Sequence, residues 1–124
     1  SNGKAIYAAG VQFDPVIFNG QTFLPGQANN FYIFPAVGMA IYATQAKRIT
    51  DQLFIEAARA VADQVSAEKL AQGCLYPDQA DILEAEIFTA IRVAKLIFKE
   101  GNQRVDEPKD FDSFIRDLIF KPSY

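Results

Sequence analysis

The run from Phe31 to Ala43 (FYIFPAVGMAIYA) is almost wholly apolar and constrains the fold more than any other stretch. It is too short for a membrane span, which needs about 20 residues, so it predicts a helix buried on all sides. Pro35 lacks an N–H and suits a first helical turn better than a helix interior. We therefore expect the helix to begin close to Pro35, or to begin at Asn30 and bend.

The composition is that of an ordinary folded domain. The 124 residues are half hydrophobic and 22% charged, with a net charge of -3. This length suits one domain, and the charge favours neither nucleic acid nor an anionic membrane as a partner. One cysteine and no histidine exclude an internal disulfide, Ser-His-Asp catalysis and His-ligated zinc within the chain. Cys74 is expected to be a passive, partly buried thiol rather than a nucleophile.

The first part of the chain predicts strands. Lys4 to Gly10 (KAIYAAG) is a short apolar run closed by glycine, which indicates a buried strand whose partners are missing. Val16 to Leu24 has Asn19-Gly20 between two apolar runs, a strong signal for a β-hairpin. Pro25-Gly26 then ends the second strand of the hairpin.

The remainder predicts helices. Thr50 and Ser66 are expected N-caps, the second for a short helix that stops at Gly73. Asp81 with Glu84 resembles a capping box for a helix ending at Gly101, and a last helix should run from near Pro108 to Pro122. The apolar residues expected in the core are Leu53, Phe54, Ala57, Ala58, Val61 and Val65; Ile87, Ala90, Ile91, Ala94, Ile97 and Phe98; and Phe111, Phe114, Ile115, Leu118 and Ile119.

The predicted fold class is thus α/β, with one or two short strands and a hairpin followed by about five helices. This set of elements is more typical of the last strand of an α/β sheet followed by a helical extension than of an independent domain.

The chemistry-bearing candidates are Asn29 and Asn30, in a polar loop that leads directly into the apolar helix. Their side chains could cap the helix, or their carboxamides could bind a carboxylate, hydroxyl or amide ligand. The acidic residues are more economically explained as caps or solvated faces: Asp51, Glu56, Asp81, Glu84, Glu86, Asp106, Glu107, Asp110 and Asp112. Gly26 and Gly38 do not have phosphate-loop spacing, and the chain holds no catalytic set.

Several stretches agree in order and spacing with one known family. GQANNFYIFPAVGMAIYA (Gly26 to Ala43) is similar to a segment usually written GQGNN-x-YIFPG. AAGVQFDPV, AKRITDQLFIEAARAVADQV, LAQGCLYPDQADI and the closing DFDSFIRDLIFKPSY also agree, so the similarity covers nearly the whole chain. The chain resembles the malic enzymes, in the C-terminal part of their NAD(P)-binding domain.

The resemblance implies a Rossmann-type fold and the oxidation of L-malate by NAD or NADP, with Mg2+ or Mn2+, followed by decarboxylation to pyruvate. It also implies that Asn29 and Asn30 bind the substrate and that Asn29 faces the cofactor. The family's catalytic tyrosine and lysine, its metal-binding carboxylates and its glycine-rich nucleotide motif lie upstream, outside this chain. Tyr32 and Tyr42 are not equivalents of that tyrosine, so no catalytic or metal-binding residue is expected here.

The chain departs from the family pattern at three places. Val11-Gln12 stands where Ser-Pro is usual, and Ala28 and Ala36 each replace a glycine. The methyl group of Ala28 is tolerable only if its φ is negative.

Two functions remain in competition. Residues 1–124 could be a partial domain of a homo-oligomeric malic enzyme, inactive alone, with Ser1-Asn2 as a tag remnant. The protein would then be located in the cytoplasm, or in the mitochondrial matrix of a eukaryote. The alternative is a stand-alone helical interaction module without catalysis. A partial domain should leave the edge of the Lys4–Gly10 strand and the Phe31–Ala43 helix poorly covered.

Overall fold

The strands form two small separate pairs. The computed structural model describes Asn2 and residues 4–120. β1 (Ala8–Ala9) pairs in parallel with β4 (Gly26–Gln27), whereas β2 (Val16–Phe18) and β3 (Gln21–Phe23) form an antiparallel hairpin. Asn19 and Gly20 both have positive φ, 51° and 77°, as a tight two-residue turn requires. The predicted hairpin is confirmed.

The expected buried strand from Lys4 to Gly10 is wrong in extent and in burial. Only Ala8–Ala9 are in strand conformation, and Ile6 and Tyr7 are exposed. Pairing along one edge for two residues satisfies few backbone groups, so it cannot hold a longer strand.

The remaining secondary-structure elements of the described chain are helices. A 3₁₀ turn (Asn30–Tyr32) leads into α1 (Phe34–Thr44), followed by α2 (Asp51–Ala62) and α3 (Ala67–Ala71). A second 3₁₀ turn (Gln79–Asp81) precedes α4 (Ile82–Lys99), and α5 (Phe111–Arg116) comes last. Within residues 4–120 these are the five helices that the sequence predicts. α4 packs against α1, α2 and α5 and is the centre of the fold.

α1 begins next to Pro35, as expected, but it is not buried on all sides. Ala36, Ala40 and Ala43 face the core, whereas Phe34 and Tyr42 are 71% and 74% exposed. The reason is that α1 packs mainly on α4, and a single neighbouring helix covers only one face. No helix within the described residues is long and apolar enough to cross a bilayer.

The core is filled by small residues at the helix crossings and large ones between them. Ala36 and Ala40 of α1 and Ala90 and Ala94 of α4 are all fully buried, so the two backbones can approach closely. The large side chains that complete this core are Leu53, Ile87, Val93, Ile97 and Ile115. Most predicted core positions are confirmed; Phe54, Ala58 and Leu118 are wrong because they point to solvent.

The predicted caps have mixed outcomes. Ser66 caps α3 by accepting from Lys69 N–H at 3.3 Å, and Gly73 follows α3 with φ 80°. Thr50 stands at the N-cap of α2, but its side chain makes no cap bond. The capping box of Asp81 and Glu84 is wrong, because a 3₁₀ turn already leads into α4 and Glu84 pairs with Arg116 instead.

The last helix is shorter than predicted. α5 begins at Phe111 rather than near Pro108, because the carboxylate of Asp110 accepts from the N–H groups of Asp112 and Ser113 at 3.2 and 3.1 Å. It ends at Arg116, and Pro122, the expected stop, lies outside the described residues. Ile115 is buried as predicted.

Asn102→Ala is expected to destabilise the fold by about 2 kcal/mol. Asn102 is 5% exposed; its amide donates to the carbonyl of Arg48 at 2.8 Å, and its oxygen accepts from the Arg48 N–H at 3.0 Å. The alanine variant leaves both backbone groups of Arg48 without this partner. Urea unfolding measures the loss, with Asn30→Ala as the control because Asn30 is exposed. Equal stability of the two variants would contradict this role.

Candidate functional site

The Asn pair lies where β4 turns into the first 3₁₀ turn. Asn29 has extended backbone (φ -137°, ψ 140°), and its side-chain oxygen accepts from the Phe31 N–H at 3.2 Å. Capping is therefore confirmed for Asn29, and the cap leaves the two N–H groups of its carboxamide free for a ligand. Asn30 is exposed, and its carboxamide makes no hydrogen bond to any described residue. The Asn29 side chain thus has a structural role as a cap, whereas the Asn30 side chain is not needed for a hydrogen bond within the described residues.

Both asparagines line a groove of about 530 Å³. The other lining residues are Ala28, Tyr32, Ile33, Ala58, Val61, Ala62, Leu75 and Tyr76. The groove thus combines two carboxamides with a mostly apolar and aromatic wall, the composition typical of a small-molecule site. The N–H groups of the two carboxamides can donate hydrogen bonds to a carboxylate or carbonyl oxygen of a ligand. Their carbonyl oxygens can accept from the N–H groups of a ligand carboxamide.

Tyr32 connects the Asn-bearing turn to the loop after α3. It is 2% exposed, and its hydroxyl donates to the carbonyl of Pro77 at 2.7 Å. Its ring stacks on Phe31 and Tyr76, with centroid distances of 4.5 and 5.4 Å. Burial raises the pKa of the Tyr32 phenol, and the nearby Cys74 contributes in the same direction, so the hydroxyl stays protonated.

Tyr32 has no role that can be predicted from its neighbours in the sequence, because its hydrogen-bond partner lies 45 residues further along the chain. The sequence feature that could have indicated this contact is the Tyr76-Pro77 dipeptide inside the LAQGCLYP stretch.

The departures from the family pattern fit the structure. Ala28 does not have positive φ, so its methyl group is tolerated as the sequence analysis required. Ala36 is fully buried in the core, and Val11 and Gln12 are exposed. A Cβ at Gly26 would lie 3.0 Å from the Tyr76 ring, so a side chain there would have to displace the ring slightly.

Several of the acidic residues form caps or ion pairs. Arg92 donates to Glu56 at 2.7 Å and to Asp63 at 3.0 Å. Both bonds raise the pKa of Arg92, and the bond to Asp63 contributes most. Glu56 is therefore half-buried in a pair that joins α2 to α4, not on a solvated face as expected. In the part of the chain that the structure describes, no three Cys, Asp or Glu side chains form a group that could hold a metal ion.

Cys74 is partly buried, as predicted, with its thiol directed at the carbonyl of Tyr76 at 3.4 Å.

Comparison with known proteins identifies the family. Residues 1–98 match the family model described as "Malic enzyme, NAD binding domain". The NADP-dependent malic enzyme of Dictyostelium discoideum is 35% identical over 124 residues, which are 100% of this chain and 23% of that protein. The Vitis vinifera enzyme of the same name is 37% identical over 125 residues, 100% of this chain and 21% of that protein.

A human relative, "NADP-dependent malic enzyme, mitochondrial", is 36% identical over 126 residues, again 100% of this chain and 21% of the relative. The chain thus spans less than a quarter of the length of these relatives. The match extends through both the Asn-bearing turn and the helices packed behind it, and the chain belongs to the malic enzyme family, with residues 1–98 in its NAD-binding domain.

Proposed function

We propose that this chain is part of a malic enzyme that oxidatively decarboxylates L-malate to pyruvate and CO2 with NAD or NADP and a divalent cation. The observation that carries the proposal is the groove in which Asn29 and Asn30 present carboxamide groups beside an apolar wall. Family membership supports the reaction class, and the names of the relatives favour NADP.

Asn30 is the main substrate-binding residue in this proposal. Its exposed carboxamide can donate to a carboxylate of malate without giving up any contact within the described fold. Asn29 binds the substrate and the nicotinamide carboxamide with its free N–H groups, while its oxygen continues to cap the turn. Both residues bind and orient their ligands, and neither transfers a proton.

When bound, NAD(P)+ supplies the hydride acceptor, and Mg2+ or Mn2+ supplies a Lewis acid. The donor set of the groove fits the amide of a nicotinamide. The described residues do not fit a divalent cation, since they bring no suitable carboxylates together. We therefore assign the metal, the catalytic tyrosine and the catalytic lysine to other parts of the enzyme.

We further propose that residues 1–124 are a single partial domain, the C-terminal portion of the NAD(P)-binding domain. Its open strand edges support this, because β1 pairs on one side only. So does an exposed apolar groove of about 570 Å³ beside the hairpin, lined mainly by Ile6, Tyr7, Val16, Phe18, Phe23 and Leu24. The complete protein is proposed to be a homo-oligomer of the cytoplasm or the mitochondrial matrix.

The test is a malate-dependent NAD(P)H assay with Mn2+ on this chain and on the complete gene product side by side. We expect turnover by the complete protein and none by the 124-residue chain, because the chain supplies one wall of the site. Turnover by the isolated chain would contradict the partial-domain proposal. An inactive complete protein would instead favour the stand-alone interaction module, for which the exposed Phe34 and Tyr42 offer a contact surface.

A further inference from the structure

We propose that Tyr32 is a positioning residue, which holds Asn29 and Asn30 in their binding orientation through its hydrogen bond to Pro77. The inference rests on the proposed function, because it assigns Tyr32 a role in the same groove.

Tyr32 and the Asn pair belong to one short stretch of backbone. Tyr32 is the last residue of the 3₁₀ turn that Asn30 begins, so a rotation of this turn moves all these residues together. Two backbone bonds close the turn itself, from the Tyr32 N–H to the Asn29 carbonyl at 3.4 Å and from the Ile33 N–H to the Asn30 carbonyl at 3.0 Å, but neither connects the turn to the rest of the fold. The 2.7 Å bond from the Tyr32 hydroxyl to the Pro77 carbonyl connects the turn to a segment 45 residues further along the chain.

The loop that accepts this bond is itself held by neighbouring segments. Cys74 N–H donates to the Lys69 carbonyl at 2.9 Å, and Leu24 N–H donates to the Gln72 carbonyl at 2.8 Å. The Tyr76 ring lies against the backbone of Gly26 at the start of β4. The loop is therefore held from α3 and from the strand side, and Tyr32 ties the Asn-bearing turn to that fixed point.

The ring and the hydroxyl of Tyr32 make different contributions. The stacked rings of Phe31, Tyr32 and Tyr76 need only an aromatic ring at position 32, which phenylalanine supplies. The hydroxyl adds the directional bond to Pro77. Because burial raises the pKa of this phenol, the hydroxyl remains a donor throughout the neutral range.

The test is Tyr32→Phe in the complete gene product. We expect the KM for malate to rise roughly three- to tenfold with little change in kcat, because the variant loosens a binding group. Tyr76→Leu, which removes the supporting ring, should change KM in the same direction. Tyr42→Phe is the matched control: it also loses a tyrosine hydroxyl, but Tyr42 is exposed near the C-terminal end of α1 and does not line the groove, so the kinetics should not change.

A double variant distinguishes the mechanism. If Tyr32 acts through the Asn pair, Asn30→Ala with Tyr32→Phe should lose little more than Asn30→Ala alone. Fully additive losses would mean that Tyr32 acts independently, and unchanged KM in folded Tyr32→Phe and Tyr76→Leu would also overturn the proposal. If Asn30→Ala itself leaves malate turnover intact, the site assignment falls together with this inference. A complete protein that does not turn over malate at all refutes the proposed function instead.

Discussion

Replacing Asn29 and Asn30 together by alanine is expected to lower kcat/KM for malate by more than about tenfold in the complete gene product. The double variant removes every carboxamide donor of the groove, while the apolar wall behind it is untouched. A binding site built to hydrogen-bond its ligand loses most when those polar groups disappear. Steady-state kinetics with malate varied at saturating NADP+ measure the effect.

Asn29→Asp separates the ligand role from the cap. Aspartate keeps the oxygen that accepts from the Phe31 N–H and is as good a capping residue as asparagine. It lacks the two N–H donors, and its negative charge repels a carboxylate ligand. We therefore expect activity to fall in this variant while the thermal midpoint is nearly unchanged.

Ser66→Ala is the matched control for loss of a cap. Ser66 caps α3 with the same kind of side-chain bond but does not line the groove of the Asn pair. This variant should lose stability, by about 1 kcal/mol, without a change in kcat/KM. If the double Asn variant instead loses stability and keeps full activity, the Asn pair is only a helix cap and the enzyme assignment must be reconsidered.

Ile97→Ala is expected to reduce the free energy of unfolding by about 3 kcal/mol, because it removes methyl groups from a closed core and leaves a cavity. Ile97 is 0% exposed and lies on α4, the helix that α1, α2 and α5 all contact. Small residues such as Ala90 and Ala94 flank it on the buried face, so neighbouring side chains have little freedom to fill the space. Urea unfolding of the 124-residue chain measures the loss. The dependence of the free energy of unfolding on urea concentration is compared between the variants.

Leu83→Ala is the control on the same helix. Leu83 is 48% exposed at the start of α4, so its truncation should cost less than about 1 kcal/mol. Similar losses for the two variants would show that the core seen around Ile97 is not closed in solution.

The confirmed sequence predictions rest on local physics. Asn19-Gly20 specifies its turn because both residues adopt positive φ, and Ser66 specifies the start of α3 because its hydroxyl accepts from a nearby N–H. The wrong predictions concern residues whose partners are distant in the sequence. Asp81 and Glu84 have the spacing of a capping box, but Arg116 on a different helix attracts Glu84, and a pattern of neighbours along the chain cannot report it.

The candidate site divides in the same way. Its Asn pair could be proposed from the GQANN motif, because the motif is contiguous and similar to the malic-enzyme segment, although the residues alone left capping open and Asn29 does cap the turn. Its wall could not, because α2 supplies Ala58 and Val61, the loop after α3 supplies Tyr76, and both segments meet the Asn pair only in the folded chain.

By itself, then, the sequence determined the elements whose signals lie within a few residues: the hairpin, the helices, the Asn pair and the family. The tertiary structure alone decided which face of the apolar run is buried, which acidic residues are paired, and that Tyr32 reaches Pro77. The physical reason is that turns and helices depend on short-range backbone geometry. Burial, ion pairing and the shape of a groove depend instead on which distant residues the fold brings together.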